Sequence, residues 1–157
     1  VIRRSKEEIR AFSKVLDLYH REEYAKTLDE LLVFAKINKS CTHIAHTMRG
    51  HIFLFELKNL EAAENELRQA LEIRPSAKKA SYYLFTVLLE QGRIKEAIDE
   101  GKRFHALRKD SFPSDDELLR DYRQQVNALS SLSPSELENI RHKYLTYDST
   151  VLDETEP

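Results

Sequence analysis

Glycine is nearly missing from this chain of 157 residues, which has three, at positions 50, 92 and 101, and only four prolines. Neither a phosphate-cradling P-loop nor a dinucleotide fingerprint can be written with glycines so placed. The G-x-S-x-G and H-E-x-x-H patterns of common hydrolases are also missing. Cysteine is reduced to Cys41, so no internal disulfide forms, and the expected compartment is a reducing one, the cytoplasm. No apolar run approaches the roughly 18 to 20 residues that span a bilayer. The first residue is Val1, which fits an excerpt of a longer protein and leaves a membrane anchor outside it open. Concentrated positive charge is lacking too: the formal net charge is −2 and the basic pairs are scattered, which argues against nucleic acid as a partner.

What is present is charged (33%) and apolar (41%) in the proportions of a helical, water-facing chain. From Ser5 to His20 the apolar residues Ile9, Phe12, Leu16 and Tyr19 recur at steps of three and four, one buried stripe of a helix opened by a Ser5/Glu8 capping box. After a polar break at Arg21-Glu22, Tyr24, Leu28, Leu31, Leu32, Phe34 and Ala35 mark a second helix. Pro75 closes a later helix and Ser76 is placed to cap the next, which Gly92 ends. Gly101 stands inside a helix at a cost of about 1 kcal/mol in propensity, and a close approach by the following helix would explain it. Phe112-Pro113 is the clearest break. Ser114 and Glu117 then form a capping box, followed by the one-sided stripe Leu118, Tyr122, Val126 and Leu129. Ser133 and Glu136, with Pro134 between them, open a last helix to about Tyr144, and residues 147–157 form an acidic tail expected to be disordered.

Candidate chemistry is thin. Cys41, His43, His46 and His51 lie close in sequence, and His43 and His46 are one helical turn apart. Zinc needs three or four converging ligands, and His51 falls on another part of the helix surface. The favoured reading places these histidines at a helix start and in an inter-helix packing layer, with no metal and no cofactor. The acidic pairs Glu22-Glu23 and Asp115-Asp116 sit at helix starts, where the helix dipole accounts for them. No catalytic residues are expected, and the chain is not expected to be an enzyme.

Ala63, Leu67, Ala70 and Pro75 are spaced as in the second helix of a tetratricopeptide repeat, and a step of 34 residues leads from Ala63 to Ala97 in a similar setting. The chain resembles that family over residues 8–109. In the first hairpin Thr27, Leu31 and Phe34 take the places of Ala63, Leu67 and Ala70, and the interval to the second hairpin is two residues longer than standard. Gly50 falls one residue before the usual small position, occupied by His51, so the turn around Leu57–Asn59 is expected to hold an extra residue.

The resemblance implies an all-α fold: a TPR-like right-handed superhelix of three helical hairpins, about residues 5–38, 41–74 and 76–109, with capping helices over 114–146. It also implies a concave groove lined by the first helices, here Phe12, Leu16 and Tyr19, then Met48, Ile52 and Phe55, then Tyr82, Thr86 and Leu89. Family members that clamp a terminal carboxylate use Lys and Asn at positions held here by Ile9, Ser13, Arg49, Lys79 and Tyr83, of which only Lys79 fits. The expected function is that of an adaptor or chaperone module binding an extended or helical segment of a protein or peptide partner in an apolar groove. The alternative is self-association, such as a homodimer, with the groove filled by the chain's own segment Pro134–Pro157, carrying Leu137, Ile140, Tyr144, Leu145, Val151 and Leu152.

Overall fold

The computed structural model describes residues 4–108 and 116–150, with side chains up to residue 145. The described residues are all-α, with helices α1 (Lys6–His20), α2 (Tyr24–Ile37), α3 (Thr42–His51), α4 (Leu60–Ile73), α5 (Lys78–Glu90), α6 (Ile94–Leu107), α7 (Glu117–Ser130) and α8 (Pro134–Thr150). None is long and apolar enough to cross a membrane. The chain divides into two compact units, Val1–Ala80 and Ser81–Pro157, with the boundary inside α5.

In the first unit α1 packs on α2, α2 on α3 and α3 on α4. The Ser5/Glu8 capping box is formed in both directions. Val15, Leu28, Leu31, Phe34, Ala45 and Ile52 make a buried cluster, flanked by half-buried Phe12, Tyr19 and Met48. Thr27 fits a position where later hairpins use alanine because its hydroxyl donates to the Glu23 carbonyl at 2.9 Å, which leaves no unsatisfied polar atom at full burial. Asn38 caps a short 3₁₀ turn, Lys39–Cys41, where the chain spends its longer first interval.

The extra residue of the second hairpin lies in the helix and not in the turn. After His51, α3 continues as a π-helical turn, Ile52–Glu56, with the Leu57 amide donating to the Ile52 carbonyl at 3.0 Å. The three hairpin turns each use one residue of positive φ: Glu22 (60°), Lys58 (53°) and Gly92 (72°). At Glu22 and Gly92 the following amide bonds back five residues, Glu23 to Leu18 and Arg93 to Leu88; at Asn59 it bonds back six, to Phe53. One inserted residue is thus absorbed while the turn keeps its left-handed stop.

In the second unit α6 packs on α7. An added Cβ at Gly101 would overlap Val126 of α7, the close approach that its mid-helix position called for. The contact is reversed in the first unit, where Gly50 of α3 faces Leu67 of α4 and an added Cβ would lie 2.6 Å from its Cγ. Tyr122 of α7 is fully buried among Phe85, Phe104 and His105, with ring centroids 5.0, 5.5 and 5.0 Å away. Its hydroxyl is 2.9 Å from that of Ser81, which donates to Glu100 at 2.8 Å. Helix α7 is capped by Asp116, and Ser114, the expected cap, lies outside the described residues. Ser133 and Glu136 do form their reciprocal box at the start of α8, which runs on to Thr150. Leu145 and Arg141 of α8 lie against the Gly92 turn; Val151 and Leu152 lie outside the described residues.

Candidate functional site

Helix α1 presents its exposed apolar residues beside its buried stripe. Val15 is fully buried and Phe12 and Tyr19 are half-buried, whereas Ile9 is 53% exposed and Leu16, seven residues on, is exposed on the same side. Phe12 stacks obliquely on Phe34, with centroids 5.7 Å apart. On α3 and its π turn the outward strip is Ile44, Met48, His51 and Phe55, with Phe55 38% exposed. Ile52, assigned by sequence to the contact face, is 2% exposed and belongs to the core. A residue misplaced by one position in a helix turns by about 100°, enough to move it from the surface to the interior.

Tyr19 joins the two strips. Its hydroxyl donates to Glu56 Oε1 at 2.9 Å and its ring lies 6.4 Å from that of His51, which is 4.7 Å from Phe55. Tyr24 donates to the other oxygen, Oε2, at 3.1 Å, and its ring packs edge-on against Tyr19 at 5.8 Å. Partial burial, the hydrogen bond to Glu56 and that group's charge push the Tyr24 hydroxyl up to about 12. Burial holds His51 below its ordinary value, with Lys79 nearby reinforcing this and Glu56 opposing it. Sequence reasoning found Tyr19 and Phe55 but not Tyr24 or Glu56, because both hydrogen bonds link residues more than thirty positions apart. A local period carries no such signal.

Behind this face a polar network ties three helices together. Glu66 of α4 accepts from His46 Nδ1 at 2.7 Å and from Arg49 Nη2 at 2.9 Å, while Arg49 Nη1 donates to the Leu28 carbonyl of α2 at 2.7 Å. Burial alone would raise the Glu66 carboxyl, but its bonds from Arg49 and His46 outweigh that and hold it below its ordinary value. Arg49 is therefore committed to internal packing. His43 points elsewhere, its Nε2 lying 3.4 Å from Arg74, so His43, His46 and His51 have three separate surroundings. Among the described residues no group of three metal-ligating side chains converges.

Helix α5 differs. Leu89 is 7% exposed and part of the interior. Tyr82 is half-buried against Tyr122, and its hydroxyl donates to Asp121 of α7 at 3.0 Å. Thr86 is half-buried and its hydroxyl donates to the Tyr82 carbonyl at 3.0 Å. Of the three residues assigned there from sequence, Tyr82 and Thr86 are half-buried and Leu89 belongs to the interior.

The comparisons with known proteins agree with this architecture. Residues 54–100 match the tetratricopeptide repeat family. Among solved structures, the first tetratricopeptide-repeat domain of Spaghetti (RPAP3), bound to the HSP90 peptide SRMEEVD, aligns with 82% of this chain and 97% of that one, at 20% identity and a TM-score of 0.58. No curated protein matches the sequence. The fold is thus all-α and similar to that helical-repeat domain, and within it residues 54–100 carry the match to the tetratricopeptide repeat.

Proposed function

We propose that this chain is a non-enzymatic protein–protein interaction module that holds an extended or helical segment of a partner protein against the α1 and α3 faces of its first unit. The observation that carries the reading is the set Ile9, Leu16, Ile44 and Phe55, four large apolar side chains left exposed on the first helices of two successive hairpins. Phe12, Met48 and Tyr19 support them from below as half-buried neighbours. Apolar side chains at three- and four-residue spacing suit the anchors of an amphipathic helix or the alternate side chains of an extended strand. Structural likeness to a domain that holds an HSP90 peptide is consistent with peptide binding. The engagement of Arg49 with Glu66 and the Leu28 carbonyl favours apolar anchoring over capture of a terminal carboxylate.

Selection of a random peptide library on the intact chain tests this. The expected ligands carry two or more large apolar residues and lose at least about 1 kcal/mol of affinity on Leu16→Ala, Phe55→Ala, a variant that keeps the fold. Ligands whose affinity is unchanged by that variant would place the contact surface elsewhere.

A further inference from the structure

Helix α2 turns Leu28, Leu31 and Phe34 inward and leaves Leu32 39% and Val33 45% exposed on its other side. The two later hairpins show what these positions carry elsewhere in the chain. Counted from Thr27, Ala63 and Ala97, the residues in the place of Leu32 are Arg68 and Lys102, and those in the place of Val33 are Gln69 and Arg103. The first hairpin is thus set apart from its repeats by an apolar pair on a helix side that is polar in the other two. Asp29 and Lys36 flank the pair, three residues before Leu32 and three after Val33. Both are exposed, and neither side chain has a hydrogen bond or ion pair among the described residues. The other two charges of the helix are engaged within the chain, Lys26 with Glu23 and Glu30 with Lys14 at 2.6 Å. A step of seven residues puts Asp29 and Lys36 about 10 Å apart along the helix, too far to pair with each other.

We propose that Leu32 and Val33 are the centre of a self-contact, in which α2 of a second copy of this chain lies antiparallel on α2. The order of charges along the helix carries the choice of occupant. The midpoint between Asp29 and Lys36 falls between Leu32 and Val33, so a two-fold axis there sets Leu32 against its copy, Val33 against its copy, and each Asp29 opposite the Lys36 of the other copy. A parallel pairing would set like charges together. Both copies use the same patch, so the contact closes at two. One helix against one helix lies at the small end of specific interfaces, so the dimer is a reversible one. The contact uses none of the α1 and α3 residues assigned above to partner binding and is independent of that reading.

Sedimentation velocity of the intact chain over a concentration series at low salt tests this. Wild type should pass from monomer to dimer, and no further, as concentration rises. Asp29→Lys or Lys36→Asp alone should weaken the association about tenfold by turning two attractions into repulsions, and the two together should restore it to within about threefold. Leu32→Arg with Val33→Gln, the residue types that the second hairpin carries in these places, should abolish it without altering the circular dichroism spectrum. All four positions are exposed, so the variants are expected to fold. A chain that stays monomeric at every concentration would overturn the self-contact and leave the patch to a different protein. Dimers unaffected by the charge reversals, or not restored by the combined reversal, would overturn the antiparallel register and with it the proposal. The α1 and α3 face is tested separately, by the peptide selection.

Discussion

The two units spend their aromatic side chains in opposite ways. In the second, Tyr122 is fully enclosed, stacks on Phe104 and holds a hydroxyl network with Ser81 and Glu100, while Tyr82 is tied to Asp121. In the first, Tyr19 and Tyr24 remain half-buried at the edge of a face that leaves Ile9, Leu16, Ile44 and Phe55 exposed. Helix α7 lies on α6 and meets Ser81, Tyr82 and Phe85 of α5, whereas the outward sides of α1 and α3 keep apolar residues in contact with solvent. The face proposed above for partner binding therefore lies in the first unit, where these side chains stay exposed.

The largest effect that would test this contrast is loss of the buried ring. Tyr122→Ala should cost about 3–5 kcal/mol in denaturant unfolding, as expected for removing a buried aromatic side chain. A cost below about 1 kcal/mol would mean that α7 is not an integral part of the second unit. Next, Gly101→Ala should cost about 1–3 kcal/mol by overpacking against Val126, and Val126→Ala in the same chain should recover part of it. Full additivity of the two substitutions would contradict the contact. By contrast, Leu16→Ala and Phe55→Ala in the first unit should each cost less than about 1 kcal/mol of stability while weakening peptide binding by more than that.

The turns permit a smaller comparison. Gly92 takes its left-handed conformation freely, while Lys58 takes it with a side chain, so Lys58→Gly should stabilise and Gly92→Ala should destabilise, each by about 1 kcal/mol. Opposite signs in thermal unfolding are the expected result. The smallest effect concerns acid. Burial, with Arg123 adding to it, depresses the pKa of His105 below its ordinary 6.5, and its Nε2 has no hydrogen-bond partner among the described residues. The unfolded chain therefore binds this proton more readily. Its contribution to stability is complete above pH 6.5 and declines as pH falls from there through the lower folded value. His105→Gln should flatten that decline, and an unaltered pH profile would refute the assignment.

Much of this arrangement was legible from local rules. The Ser5/Glu8 and Ser133/Glu136 boxes, the Gly92 stop and the close contact demanded by Gly101 each follow from a few neighbouring residues and a helical period. Facing was harder wherever the period broke. An extra residue was evident between Gly50 and Ala63, but sequence placed it in the turn, whereas the structure takes it up as a π turn within the helix, and Ile52 moves inside. On α5 Leu89 lies inside, and half-buried Tyr82 donates to Asp121 of α7, a partner some forty residues later that no local period announces. The Tyr19–Tyr24–Glu56 constellation rests wholly on such distant pairings.

The central claim, that recognition belongs to the α1 and α3 faces, is tested most directly by methyl and aromatic NMR during titration of a library-selected peptide into the intact chain. The account predicts that the largest shifts fall on Ile9, Leu16, Ile44, Met48 and Phe55, with Tyr122 and Val126 unmoved. Shifts centred on Ile73, Leu107 or the exposed side of α8, with the first set unmoved, would contradict it.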